Sequence, residues 1–256
     1  MAFELIPLPA FRDNYIWLLA GAQAAAVVDP GDAAPVREAL EERHLMLAAV
    51  LVTHHHVDHM GGAAALALQY GCPVFGPAGE TIEAVTEPLR EGQQADIPRL
   101  ETCFKVLEIP GHTAGQIAYC GHNIVFCGDT LFSAGCGRLF EGTATQMSRS
   151  LAKLSALPDS TAICCGHEYT VANLRFARAV EPGNRDILDY AAEAAELRSR
   201  NLPTLPSTLG RERHVNPFLR CGESTVATAA RRHAGRELQD PIEVFAVIRS
   251  WKDTFT

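Results

Sequence analysis

Four histidines and one aspartate fall within Thr53-His54-His55-His56-Val57-Asp58-His59. His54 and His56 are one residue apart, so in extended chain both rings project to the same side. Asp58 and His59 follow on a turn and can face a second point a few ångströms away. His55 points away from both and reads as structural. Neutral imidazole nitrogen and carboxylate oxygen are the donors that borderline divalent metals take. The chemistry on offer is therefore metal binding and activation of a water. A tag-like or surface histidine run would sit at a terminus and contain no aspartate.

The elements around this cluster explain how it is positioned. Leu45-Met46-Leu47-Ala48-Ala49-Val50-Leu51-Val52 is a continuous apolar run that reads as a buried strand. Met60-Gly61-Gly62 and a run of small apolar residues, 63–68, follow as a helix start. The cluster thus lies at the carboxyl end of a strand, where open α/β sheets place their sites. The same arrangement recurs. Residues 104–109 are strand-like and run into Pro110-Gly111-His112; residues 117–120 and 124–127 form a hairpin that ends in Gly128-Asp129; residues 161–165 end in Gly166-His167. Residues 24–28 end in Asp29-Pro30-Gly31, where Asp29 either holds its own turn or supports a ligand histidine. Four such turns supply His54, His56, Asp58, His59, His112, Asp129 and His167. Seven donors are too many for one tetrahedral zinc and suit two metals sharing a carboxylate.

Formal net charge of −8 argues against a nucleic-acid partner, whose phosphates would be repelled. No segment approaches the ~20 apolar residues of a membrane span. The first residues lack a basic stretch and a long apolar core, so no signal peptide is expected. Eight cysteines with no CxxC pair then read as reduced thiols of a cytoplasmic protein. Cys136, between two glycines, is expected to be a small apolar filler.

The pattern changes after Thr170. Residues 173–180, 186–200, 223–233 and 240–252 have helical periodicity, with a proline-punctuated loop at 202–207, and no strand is expected there. The expected organisation is an α/β domain, residues 1–172, and a small all-helical domain, residues 173–256. In the last helix Val244, Val247, Ile248 and Trp251 form an apolar stripe, with Arg249 and Lys252 on a neighbouring face. Alone, these two cations read as a solvated helix end favoured by the macrodipole.

The histidine–aspartate pattern resembles the metallo-β-lactamase fold superfamily. Further motifs narrow the resemblance: Asn14-Tyr15, Val28-Asp29-Pro30-Gly31, Gly128-Asp129-Thr130-Leu131-Phe132, Ala134-Gly135-Cys136-Gly137-Arg138, Gly166-His167-Glu168-Tyr169-Thr170, Glu181-Pro182-Gly183-Asn184, Pro206-Ser207-Thr208 and Asn216-Pro217-Phe218. Together they resemble the glyoxalase II family over nearly the whole chain. The resemblance implies an αββα sandwich followed by a helical domain. It implies two divalent ions, zinc first, with iron or manganese also suited to the donor set. One would take His54, His56 and His112, the other Asp58, His59 and His167, with Asp129 between them. It assigns thioester binding to Arg138, Tyr169, Arg249, Lys252 and groups near Phe140. Some relatives carry Lys and Tyr where this chain has Arg138 and Phe140. Arg keeps the charge with a different geometry, and Phe140 has no hydroxyl to offer.

The implied reaction is hydrolysis of S-2-hydroxyacyl glutathiones, S-(R)-lactoylglutathione giving D-lactate and glutathione, the second step of methylglyoxal detoxification. Hydroxide held by the two metals and oriented by Asp58 would be the nucleophile. The expected partner is this small molecule alone, bound by a monomer with no nucleic acid and no membrane. A one-iron persulfide dioxygenase of the same superfamily is disfavoured by the helical tail, a nuclease by the charge, and a secreted β-lactamase by the missing leader. A non-catalytic metal- or thioester-binding protein would need closed coordination, which nothing in the sequence imposes.

Overall fold

The computed structural model describes residues 3–255. Six strands form the first sheet in sequence order: β1 (Glu4–Ala10), β2 (Asn14–Ala20), β3 (Ala24–Val28), β4 (Met46–Leu51), β5 (Val74–Pro77) and β6 (Glu87–Leu89). The first three are antiparallel, and β3 to β6 run parallel. Parallel neighbours need crossovers. These are α1 (Ala34–Glu42) and, after the short α2 (Val57–Met60), α3 (Ala63–Tyr70). The second sheet contains β7 (Gln94–Ile97), β8 (Thr102–Glu108), β9 (Ile117–Gly121) and β10 (Ile124–Gly128). A two-stranded ribbon, β11 (Leu131–Phe132) and β12 (Gly135–Cys136), leads to α4 (Ala144–Ser155) and to β13 (Ala162–Cys165), which joins β10 in parallel.

The continuous apolar character of β2 has a direct cause: both of its faces are buried. Ile16 and Leu18 pack with Val36 and Leu40 of α1. Tyr15, Trp17 and Leu19 point to the other side, into a core shared with Phe104, Tyr119 and Phe126 of the second sheet. Met147, Leu151 and Leu154 of α4 close that core from outside. Helix, sheet, sheet, helix is thus the order of layers. Each large side chain removed from water in this way contributes about 1.5–3 kcal/mol. Two polar ties pin the sheets together below the site. Trp17 Nε1 donates to the carbonyl of Cys165 at 2.9 Å, and Tyr119 Oη donates to that of Val52 at 3.0 Å. Both carbonyls lie two residues before a histidine of the cluster.

The C-terminal section contains α5 (Thr170–Val180), α6 (Arg185–Ser199), α7 (Leu209–Val215), α8 (Ser224–Ala234) and α9 (Pro241–Thr254). One expectation is corrected here. A strand does occur: β14 (Ser207–Thr208) pairs antiparallel with β13 and becomes the edge of the second sheet. The expected boundary at 172/173 falls inside α5. The apolar core runs through it without a break, since Phe176, Val180, Phe218, Phe245 and Ile248 share one cluster with the sheet residues. The buried stripe of α9 is Val244, Phe245, Ile248 and Arg249, with Val247 and Trp251 only partly covered. Strands β1, β6 and β7 and helix α7 lie where the sequence pattern is weak. No helix among the described residues is long and apolar enough to cross a membrane.

Candidate metal centre

Four strand ends converge on one point between the sheets. The loop after β4 brings His54 and His56 and runs into α2, which brings Asp58 and His59. The ends of β8, β10 and β13 bring His112, Asp129 and His167. Glycines allow the crowding. A Cβ on Gly166 would lie 2.6 Å from Asp129 Oδ1, and one on Gly137 would run into the Asp129 carbonyl oxygen.

The ring nitrogens form two groups. His54 Nε2 and His112 Nε2 lie 3.2 and 3.1 Å from His56 Nδ1. His59 Nε2 and His167 Nε2 are 3.3 Å apart, with Asp58 Oδ2 at 3.7 and 3.5 Å from them. Asp129 sits between the groups: Oδ1 is 3.4 Å from His59, and Oδ2 is 3.2 Å from His167 and 3.5 Å from His112.

The outer nitrogens fix which way the inner lone pairs point. His112 Nδ1 faces the carbonyl oxygen of Arg138 at 2.9 Å, which only accepts, so this nitrogen carries the proton. His59 Nδ1 donates to Asp29 at 3.0 Å and His167 Nδ1 donates to Asp13 at 2.9 Å. Thr53 Oγ1 gives its one proton to Asp29 at 2.7 Å, so it accepts from His54 Nδ1 at 3.0 Å. Four Nε2 lone pairs therefore aim inward. No placement of a single proton on His56 satisfies both neutral rings facing it. Asp129 Oδ1 is buried with no hydrogen-bond partner among the described residues. Converging lone pairs and an orphaned carboxylate oxygen are what two divalent cations would satisfy. The Asp29 side chain reaches the loop after β4 and not its own turn. It holds the chain through Thr53 N at 2.7 Å, and it orients His59.

The two groups differ in charge. Burial pushes His54 well below the usual imidazole range and also lowers His112 and, helped by His55, His56. Burial would lower His59 as well, but Asp129 and Asp29 raise it well above that range, and Asp129 likewise raises His167. Asp129 stays ionised despite burial because His59 and His167 hold it far down. Without metal, His59 and His167 thus hold a proton more readily than the three-histidine group does. A raised histidine must shed its proton to coordinate, so uptake at that pair strengthens as pH rises through the raised range. Calorimetry of zinc binding in buffers of different ionisation enthalpy should show more proton release with one ion than with the other. Equal release for both would show that this charge asymmetry is wrong.

Sequence reasoning missed four supporting residues. Asp13 and Asn14 close the turn before β2, and Asn14 Nδ2 donates to Asp58 Oδ2 at 3.0 Å. Thr53 and Glu80 are the others. Asp13-Asn14 at a strand start was a usable signal; Glu80 gave none.

A cleft of about 520 Å³ opens over His112 and Asp129 and is lined by Arg138, Phe140, Tyr169, Arg249 and Lys252. The Tyr169 ring stacks flat on His167, centroids 4.7 Å apart, and the exposed Phe140 ring stands edge-on to His112 at 5.2 Å. The Phe140 amide donates to the His112 carbonyl at 3.2 Å. Arg249 lines the cleft yet is only 4% exposed, unlike the solvated helix end its charge alone suggests. Its Nη1 donates to the Cys136 carbonyl at 2.7 Å and its Nη2 to Asp253 at 3.0 Å. Cys136 is buried behind it, as the filler reading expects. Arg138 is exposed and faces Asp253 at 3.7 Å, while Lys252 donates to the Ala172 carbonyl at 3.3 Å. Burial and the neighbouring Arg249 lower Lys252 to about 8.

Residues 10–167 match the family model of the metallo-beta-lactamase superfamily, and residues 168–255 match the hydroxyacylglutathione hydrolase C-terminus. A hydroxyacylglutathione hydrolase of Nitrosomonas eutropha is 50% identical over 98% of this chain and 99% of its own length. The chain belongs to the hydroxyacylglutathione hydrolase family. Among solved structures, ETHE1 from Myxococcus xanthus is similar at 25% identity and a TM-score of 0.66, covering 98% of both chains. TTHA1623, solved in a di-iron-bound form, is 25% identical with a TM-score of 0.60 and covers 84% of this chain and all of that one. The two family models meet at 167/168, immediately before the hydroxyacylglutathione hydrolase tail begins with α5.

Proposed function

We propose that this chain hydrolyses S-2-hydroxyacyl glutathione thioesters, converting S-(R)-lactoylglutathione to D-lactate and glutathione. The observation that carries this reading is the pair of inward-facing donor groups sharing Asp129 at the floor of a cleft with cationic walls. His54, His56 and His112 would hold one divalent ion and Asp58, His59 and His167 the other, with Asp129 serving both. Zinc suits the donors best, and iron and manganese are compatible. When bound, such ions polarise a carbonyl and lower the pKa of a water at the site.

The chain's own residues do the rest. Asp29 and Asp13 keep His59 and His167 in one tautomer and one orientation. Asn14 fixes Asp58 Oδ2, so its carboxylate can accept a proton from the attacking water and aim the water's lone pair. The Phe140 ring shields the His56 and His112 flank from solvent. Tyr169 walls the cleft beside His167. Lys252 meets a glutathione carboxylate, and buried Arg249 supports the β12 end of the cleft while adding positive potential. The thiolate leaves readily and needs no acid from the protein.

The test is turnover of S-(R)-lactoylglutathione by zinc-loaded protein, run beside Lys252→Ala. Wild type should turn over. The variant should raise KM about tenfold or more with kcat nearly unchanged, since a hydrogen bond to a charged group contributes ~1.5–3 kcal/mol and this one is remote from the reacting carbonyl. Lys252 is charged only below its pKa of about 8, so wild-type KM should climb above that pH and the climb should vanish in the variant. No hydrolysis by fully metallated wild type would reject the function; an unchanged KM in the variant would reject only the role of Lys252.

A further inference from the structure

Glu80 follows β5 and touches none of the seven metal-donor side chains, yet its side chain is only 3% exposed. Each carboxylate oxygen serves a different loop. Oε2 accepts from the main-chain N of His55 at 2.6 Å and faces His55 Nδ1 at 2.9 Å. Oε1 accepts from Thr113 Oγ1 and from the main-chain N of Gly115 at 3.2 Å. His55 lies between His54 and His56, and Thr113 follows His112. One buried anion therefore joins the loop after β4, in the first sheet, to the loop after β8, in the second. Glu141 repeats the link nearer the surface, facing His55 Nε2 at 3.2 Å and accepting from Ala114 N at 2.8 Å.

We propose that Glu80 is the positioning residue of the three-histidine group: by clamping these two loops it sets how far His112 stands from His54 and His56. This rests on the two-metal reading above. Asp29 and Asp13 act on the other group by gripping ring nitrogens; Glu80 acts through backbone. The chemistry explains the residue type. Each oxygen takes a main-chain N–H, which cannot reverse into an acceptor. Glutamine would turn its NH₂ toward one of those N–H groups and release that loop, so only a carboxylate completes the clamp.

The experiment removes zinc from the loaded protein with chelators of graded affinity and follows both ions, alongside melting of the metal-free protein. Glu80→Gln should weaken one of the two release steps by 10–100-fold, the range for groups supporting metal ligands, and leave the other unchanged. Asp13→Asn should weaken the other step. A purely structural Glu80 would lower the metal-free melting temperature and weaken both steps in parallel. That result, no effect on either step, or weakening of the same step as in Asp13→Asn would overturn the proposal. If Glu80→Gln yields no folded protein, Thr113→Val removes one of the four donors and must weaken the same single step to a smaller degree; an unchanged step overturns the proposal. Wild type that never holds two ions would instead defeat the two-metal reading, and the proposal with it.

Discussion

Asp129→Ala is expected to abolish thioester hydrolysis to beyond ~10²–10³-fold, the cost of deleting a single group that stabilises developing charge, and to leave fewer than two ions bound. The carboxylate sits between the two nitrogen groups, 3.2 Å from His167 and 3.5 Å from His112. Without it two dications would face each other across neutral imidazoles. The metal-free variant should change in a second way. Asp129 is the largest influence raising both His59 and His167, so both should titrate at lower pH, visible in the histidine resonances. Metal content by elemental analysis and turnover on one preparation check the main effect. Two tightly held ions with near-normal turnover in Asp129→Ala would remove the shared carboxylate from the mechanism.

The second large effect is on folding. Glu212, on α7, is fully buried, and burial raises its carboxyl. Oε1 accepts from Ser133 Oγ at 2.9 Å and Ser207 Oγ at 2.5 Å; Oε2 accepts from Ala134 N at 2.7 Å and Asn216 Nδ2 at 3.1 Å. It thereby supports the turn of the β11–β12 ribbon, where Ala134 has φ of 53°. Glu212→Ala would strand these donors in a dry interior, each at a cost of about 1–3 kcal/mol, and open a cavity. A loss of roughly 4 kcal/mol or more, and a Tm drop on the order of 10 °C, should follow. Glu212→Gln should lose far less. Its NH₂ can face the two serine hydroxyls, which reverse to accept, while its oxygen keeps Ala134 N and Asn216. Thermal melts of both variants check this, and equal losses would contradict the hydrogen-bond account.

The site was legible because its donors cluster in sequence or end apolar strands: His54 to His59 in one run, and His112, Asp129 and His167 each after a strand. Of the strands that position them, β10 and β13 were legible as apolar runs buried on both faces, and β8 by its alternation of buried and exposed residues. What escaped were residues whose role depends on distant partners. Glu212 sits between Arg211 and Arg213 and reads as part of a solvated charged helix, while its partners Ser133 and Ala134 are 79 and 78 residues away. Glu80 lies in a weakly patterned stretch. Arg249 taken alone reads as part of a solvated helix end, and the resemblance assigns it to substrate binding; its burial against Cys136, 113 residues away, is what no periodicity reveals. The weak short strands β6, β7 and β14 are held by sheet neighbours rather than by their own pattern.

Two residues of β14 have a consequence out of proportion to their number. They pair with Ala162 and Ile163 of β13, which would otherwise end the second sheet as an unpaired edge. An uncovered edge offers unpaired backbone groups to any other extended chain. The tail that carries Lys252 to the cleft therefore also guards the sheet against self-association. Swapping in a different substrate-binding tail by recombination would need to bring a matching edge strand, or the hybrid would meet other copies of itself before it met a substrate.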